Sequence, residues 1–160
     1  MRPRPPSFRI KKRYLLVQIL PPWRTVEART MGSTVHEAAG ALWGDAKTAL
    51  IQPTVIQVDG GLLILRCRRG TEQDLITALA TVHAAGDLPL TLRPLAVSGT
   101  LLALKRRGAS LRYAVQEEDC IIKERAFRVY RYQGHKIDLI ERGIKGQNVV
   151  FFTEDDIEEL

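Results

Sequence analysis

At 160 residues, with 45% apolar and 26% charged side chains, the chain is about one domain long, which excludes a wholly disordered polymer and leaves no room for two large cores. Lys and Arg number 24 against 18 Asp and Glu, a formal net charge of +6. No apolar run reaches the roughly 20 residues a membrane-spanning helix needs. The opening MRPRPP has no apolar stretch and cleavage site behind it, so neither a membrane protein nor a signal peptide is expected.

In chain order, residues 1–12 lack core periodicity and read as a basic flexible arm. Residues 13–20 (RYLLVQIL) form an apolar strand stopped by Pro21 and Pro22. A helix follows, with Ser33 or Thr34 as cap and Glu37 completing a capping box. Its stripe is Val35, Ala38, Ala39, Leu42, Trp43, Ala46, Ala49 and Leu50; Gly44 weakens it and Pro53 marks its end. Residues 54–58 and 62–68 are strands joined by Asp59, Gly60 and Gly61, a turn that tolerates positive φ. A second helix runs from Thr71 to Gly86, and a fourth strand over 88–97 is pushed to a sheet edge or bulge by Pro89 and Pro94. The β-α-β-β-α-β order predicts an α+β, ferredoxin-like sandwich resembling RNA-recognition-motif domains. Both helices cover one face of a four-stranded antiparallel sheet, and the other face is left for a ligand or partner. Residues 100–107 suggest a short extra helix. The divisions are the arm, a core over 13–108, and an acidic, β-rich extension over 109–160 with a hairpin at 127–140, a turn at 143–146, a strand at 148–152 and a capped turn at Thr153.

Charge divides the same way. Residues 1–115 carry +10 and residues 116–160 carry −4. Arg2, Arg4, Arg9, Lys11, Lys12 and Arg13 open the chain; Arg66, Arg68 and Arg69 form a second cluster; Lys105, Arg106 and Arg107 form a third. A basic body invites a polyanion, because each phosphate neutralised releases a condensed counterion. Strand alternation places Arg66 and Arg68 on one face, with Leu63, Leu65 and Cys67 on the other. Two unpaired arginines are not buried together, so theirs is the open side. Exposed arginines satisfied by water or local carboxylates would leave the same pattern.

Self-contained chemistry is missing. His36, His83 and His135 are scattered, and His83 reads as an ordinary partly buried residue beside core positions. No nucleophile signature, Walker loop or dinucleotide fingerprint is present. Cys67 and Cys120 have no partners at metal-ligand spacing and read as free thiols of a reducing compartment. The glycines at 143 and 146 match the spacing of a KH loop, but strand-like flanks make it an ordinary turn. The inner strands offer one aromatic, Tyr14, too few for the base stacking of an RNA-recognition motif. No catalytic or metal-binding residue is assigned.

RYLL at 13–16, VDGGLLILRCRRG at 58–70 and VSGT at 97–100, before a basic helix, occur in an order that resembles the archaeal ribonuclease P protein component 2 family. The resemblance covers roughly residues 9–108. It implies an RNA-recognition-motif-like fold without stacking aromatics, in a cytoplasmic subunit supporting the catalytic RNA that removes 5′ leaders from precursor tRNA. It implies magnesium on the RNA, no cofactor in the protein, and a pairing with ribonuclease P protein component 3. On that basis the RNA-contact candidates are Lys11, Lys12, Arg13, Arg66, Arg68, Arg69, Lys105, Arg106 and Arg107, and Trp23 is a loop aromatic suited to anchoring a protein partner. Two rivals stay open: a ferredoxin-like small-ligand-sensing regulatory module without RNA affinity, and a nuclease in its own right. The basic clusters oppose the first, and the missing metal-ligand cluster opposes the second.

Overall fold

The computed structural model describes residues 9–112, 114–132, 136–144 and 150–153, without the side chains of 150–152. It divides into two compact units, Met1–Arg112 and Tyr113–Leu160.

The first unit holds β1 (Lys12–Leu20), α1 (Ala28–Ile51), β2 (Thr54–Asp59), β3 (Leu62–Arg68), α2 (Glu72–Ala80), the two-residue strands β4 (Ala84–Ala85) and β5 (Leu88–Pro89), β6 (Thr91–Ser98) and α3 (Leu101–Ala109). The main sheet has the order β2-β3-β1-β6 and is antiparallel throughout. It is the ferredoxin-like arrangement expected from the sequence, with β1 and β3 innermost. Strand alternation gives the sheet two apolar faces. Leu15, Val17, Leu63, Leu65 and Cys67 bury against α1 and α2, together with Met31, Val35, Leu75 and Leu79. Leu16, Leu62 and Ile64 bury on the opposite face beneath Leu104 of α3. That second face is therefore partly roofed rather than left free. Full burial of each large aliphatic side chain stabilises by about 1.5–3 kcal/mol, so both faces contribute to the fold.

α1 starts earlier than the capping box suggested. Glu27, with extended φ and ψ, precedes it, and Met31 donates its N–H to the Glu27 carbonyl at 3.0 Å. Thr34 instead sits inside the helix, its hydroxyl donating to the Thr30 carbonyl at 2.9 Å. Gly44 breaks the helical path at φ 75° and ψ 168°. The break resets the phase: Thr48 and Ile51 turn inward, whereas Leu50, read as a stripe residue, is exposed; Leu42, ahead of the break, is exposed as well. α2 ends five residues short of Ala85, where the apolar pattern pointed. The Thr81 hydroxyl donates to the Ala78 carbonyl at 2.8 Å, and the chain folds into the β4–β5 hairpin around Gly86. Val82 and Ala85 are still buried, but from a turn and a strand rather than a helix. His83, expected near the core, is exposed. β6 is an edge strand, and its register against β1 shifts between Leu16 and Val17, opposite Pro94 and Ala96. Proline lacks the N–H a central strand would need.

The second unit is a four-stranded antiparallel sheet, β10-β9-β8-β7, built from β7 (Gln116–Ile122), β8 (Arg125–Tyr132), β9 (Lys136–Glu141) and β10 (Val150–Thr153). β8 and β9 are the expected hairpin, β10 falls on the described part of the expected last strand and runs on to Thr153, and β7 was not anticipated. Val129, Ile137 and Leu139 form its buried cluster. Asp138 is fully buried and accepts a 3.0 Å hydrogen bond from the Tyr132 hydroxyl. Burial and the adjacent carboxylate hold that hydroxyl well above the usual tyrosine range. His135, the second half of the 143–146 turn and Asp156 of the expected cap lie outside the described residues, while Thr153 ends β10.

A chain ending at Arg112 should keep the first unit's cooperative unfolding, because both clusters around its sheet are complete within that span. It also loses a segment carrying −4. The basic clusters expected to meet RNA would then act without that opposing charge, so binding of the short form to RNA should be tighter, most at low salt, where unscreened charge reaches furthest. Filter binding of both lengths against ionic strength measures this; an unchanged or weaker affinity for the short form contradicts it.

Candidate nucleic-acid interface

Antiparallel register assembles the basic residues of β1 and β3 into rows. Tyr14 pairs with Arg66, and Lys12 pairs with Arg68. Outward in the sheet, Thr54 pairs with Arg66 and Ser98 with Tyr14. Because Leu16 pairs with Ile64 two residues along, all of these side chains share the face roofed by α3. Passing out from under the helix, Leu16 and Ile64 are buried, Tyr14 and Arg66 half-buried, and Lys12 and Arg68 exposed. Successive rows are about 7 Å apart at the rise of a β-strand. Arg69 donates its backbone N–H to the Lys11 carbonyl at 2.9 Å, which ties the two strand ends and keeps both exposed cations beside the rows.

Among the described residues, no carboxylate forms an ion pair with Lys12, Arg66 or Arg68. The polar contact seen for Arg66 is a 3.4 Å donation from Nη2 to the Thr54 hydroxyl. Arg13 differs. It lies one residue out of phase, on the α1–α2 face opposite Cys67, with Nε 3.4 Å from the Glu72 carboxylate. A Cβ on Gly99 would approach Arg13 Nη1 to 2.9 Å. The Arg13 side chain therefore links β1 to the start of α2 and the loop before α3.

α3 presents Lys105, Arg106 and Arg107 to solvent and turns Leu104 and Gly108 to the sheet. Arg106 and Arg107 occupy the last turn, where the helix dipole favours cations. The helix follows Ser98, beside Tyr14, and Gly108 sits above Leu16 and Leu62, with their Cδ1 atoms 3.5 Å from where its Cβ would be. It thus runs from the Tyr14–Arg66 row toward the β2–β3 hairpin. Lys105 there lines a cleft of about 260 Å³ with Asp59 and Arg112, which form an ion pair. The basic residues accordingly form two patches: one at the open end of the sheet, one on the C-terminal half of α3. The Asp59–Arg112 pair was missed in the sequence because 53 positions separate its members.

Trp23 is half-buried, with the Arg24 guanidinium 5.0 Å from its ring centroid. Trp43 packs against the main core and donates its indole N–H to the Asp74 carbonyl at 2.9 Å. Among the described residues, no group of three or more His, Cys, Asp or Glu is disposed to hold a metal ion, and no helix is long and apolar enough to cross a membrane.

Burial pushes the Cys67 thiol up to about 11. A raised value means the folded state binds the proton more tightly, so this contribution to stability is complete below the ordinary thiol range. It is lost as pH climbs toward 11. Near neutral pH, an aromatic disulfide reagent should modify half-exposed Cys120 well before Cys67, which is released by denaturant. Mass mapping of the first adduct checks the order; early modification of Cys67 contradicts it.

Residues 13–108 match the model of the Rpp14/Pop5 family. Ribonuclease P protein component 2 of Methanoculleus marisnigri is 50% identical over 159 residues, which are 99% of both chains. The component 2 protein of Methanosphaerula palustris is 38% identical over the same share. That of Pyrococcus horikoshii is 30% identical over 105 residues, 64% of this chain and 87% of its own. With the Tyr14–Arg66 row and both cores of the first unit inside the matched span, and full-length identity at half of all positions, the chain belongs to the Rpp14/Pop5 family.

Proposed function

We propose that this chain serves ribonuclease P as a non-catalytic subunit whose cations hold the catalytic RNA in its working shape. It is a protein subunit of that holoenzyme, and the reaction it serves is 5′ maturation of tRNA. The observation that carries the electrostatic role is the set of rows at the open end of the sheet, where Lys12, Arg66 and Arg68 stand together without a carboxylate partner among the described residues. Phosphates fit that set, because guanidinium groups pair with them through two parallel hydrogen bonds. Lys11 and Arg69 extend it, and Lys105, Arg106 and Arg107 supply a second contact area. The bond-breaking step stays with the RNA and its magnesium. Precursor tRNA and ribonuclease P protein component 3 complete the assembly, with Trp23 as the anchor for the protein partner in a cytoplasmic particle. Family membership favours this reading over a small-ligand sensor, for which RNA-enzyme relatives would have no meaning.

Substituting Arg66 and Arg68 by Ala should flatten the salt dependence of RNA binding by about 0.7–0.9 in slope for each phosphate that is no longer neutralised. Affinity of the intact chain for ribonuclease P RNA, measured across a salt series, gives the slope. An unaltered slope removes the pair from the interface.

A further inference from the structure

On the reading that the open end of the sheet meets RNA, we propose that Tyr14 is the stacking platform for one unpaired base, with neighbouring phosphates held by Arg66 and by the Lys12–Arg68 pair. Tyr14 stands on an inner strand, directly across from Arg66, and its ring is half-buried against the Leu16–Ile64–Leu104 cluster. That packing fixes the ring before any ligand arrives, so stacking requires little further ordering. α3 roofs the sheet from Leu16 and Ile64 onward. The ring is thus the last aromatic surface before the roof, which suits a single base rather than a run of bases. A tyrosine that only plugs the end of the apolar cluster has no need of cations in its own row and the next. Here both rows carry cations without a carboxylate partner among the described residues, and an anion relieves their mutual repulsion. The hydroxyls of Thr54 and Ser98 close the row at its two ends. Stacking is tolerant of sequence because every base has a π-face, so this subsite selects for an unpaired nucleotide rather than a particular base.

The test uses the full chain and two fluorescent probes: a short oligouridylate, and an oligomer of the same length in which every position is abasic. The intact protein should bind the first more tightly by about five- to hundredfold. Tyr14→Leu should bring the two affinities together while leaving the abasic probe's affinity and salt slope in place, and Tyr14→Phe should keep the preference. Thermal unfolding of each variant separates loss of fold from loss of stacking. A 4-thiouridine photo-crosslink on the unsubstituted chain, which needs no variant, should map to β1. Equal affinity of the intact protein for both probes, or adducts confined to other elements, would overturn the proposal. If the abasic probe still binds with a steep salt slope, the phosphate-binding reading survives that failure. If neither probe binds, both fall together.

Discussion

Gly61→Ala should destabilise the first unit by at least about 3 kcal/mol, whereas the same change at Gly60 should cost only about 1 kcal/mol. Both glycines have positive φ, 55° at Gly60 and 75° at Gly61, so both substitutions carry the penalty of left-handed backbone. The surroundings differ. A Cβ on Gly60 meets nothing within 4 Å, but one on Gly61 would lie 2.6 Å from the Pro22 carbonyl oxygen and 3.0 Å from its Cα. Those atoms belong to the backbone of the β1–α1 connection and cannot rotate away. The Gly61 carbonyl also accepts the Ile19 N–H at 2.8 Å, so any shift of the hairpin tip loosens the end of an inner strand. A single domain has only about 5–15 kcal/mol to lose. Urea unfolding of the two variants side by side measures the difference; equal midpoints would show that the connection yields to the hairpin.

The sequence made the sheet legible because two signals agreed in each strand. An apolar run or alternation marked β1, β3 and the β8–β9 hairpin, and turn residues bounded them: Pro21 and Pro22 after β1, Asp59 to Gly61 between β2 and β3. Helix ends were less legible because local signals competed. Thr34 fits a cap by composition, but Met31 adds an apolar position four before Val35, and its burial draws the helix back to Ala28. Leu79, Val82 and Ala85 are spaced to suit a helix, yet a threonine hydroxyl and a glycine turn divert the chain after Ala80. The phase change at Gly44 left no trace in composition, since alanines line both candidate stripes. β7 was hidden because its sequence, QEEDCII, is charged where an edge strand faces solvent.

The basic clusters of the candidate site were legible in the sequence, and their arrangement was not. Alternation alone placed Arg66 and Arg68 together, and the register supports it. It also placed Arg13 one residue out of phase with Lys12, but clustering along the chain outweighed that signal and grouped the two. The separation of Lys105 to Arg107 from the sheet patch follows from the direction of α3, which depends on packing of Leu104 and Gly108 against the sheet and has no local signature. The second unit extends past the matched family span, and the Pyrococcus horikoshii relative, 87% of which is already matched by 105 residues, has little length left for such a unit.

Ribonuclease P RNA reconstituted with the Arg66→Ala, Arg68→Ala chain should need more magnesium to reach half-maximal cleavage of precursor tRNA than with the unsubstituted chain. Phosphates brought together in a folded RNA repel one another, and either bound cations or protein side chains can offset that repulsion. Charge-assisted hydrogen bonds contribute about 1.5–3 kcal/mol each, so losing two should weaken the complex by at least about a hundredfold at low salt. Raising the protein concentration separates the two consequences: weak binding is rescued by excess protein, while poorer screening within the bound complex persists as a higher magnesium requirement. At saturating magnesium the variant and the parent should converge, because the RNA then folds with little protein help. Arg13→Ala is the informative contrast. Its guanidinium is engaged with Glu72 on the other face of the sheet, so its loss should lower the unfolding midpoint and leave the magnesium requirement where it was. If the two variants shift the magnesium requirement equally, position on the sheet does not decide which cations meet the RNA, and the interface lies elsewhere.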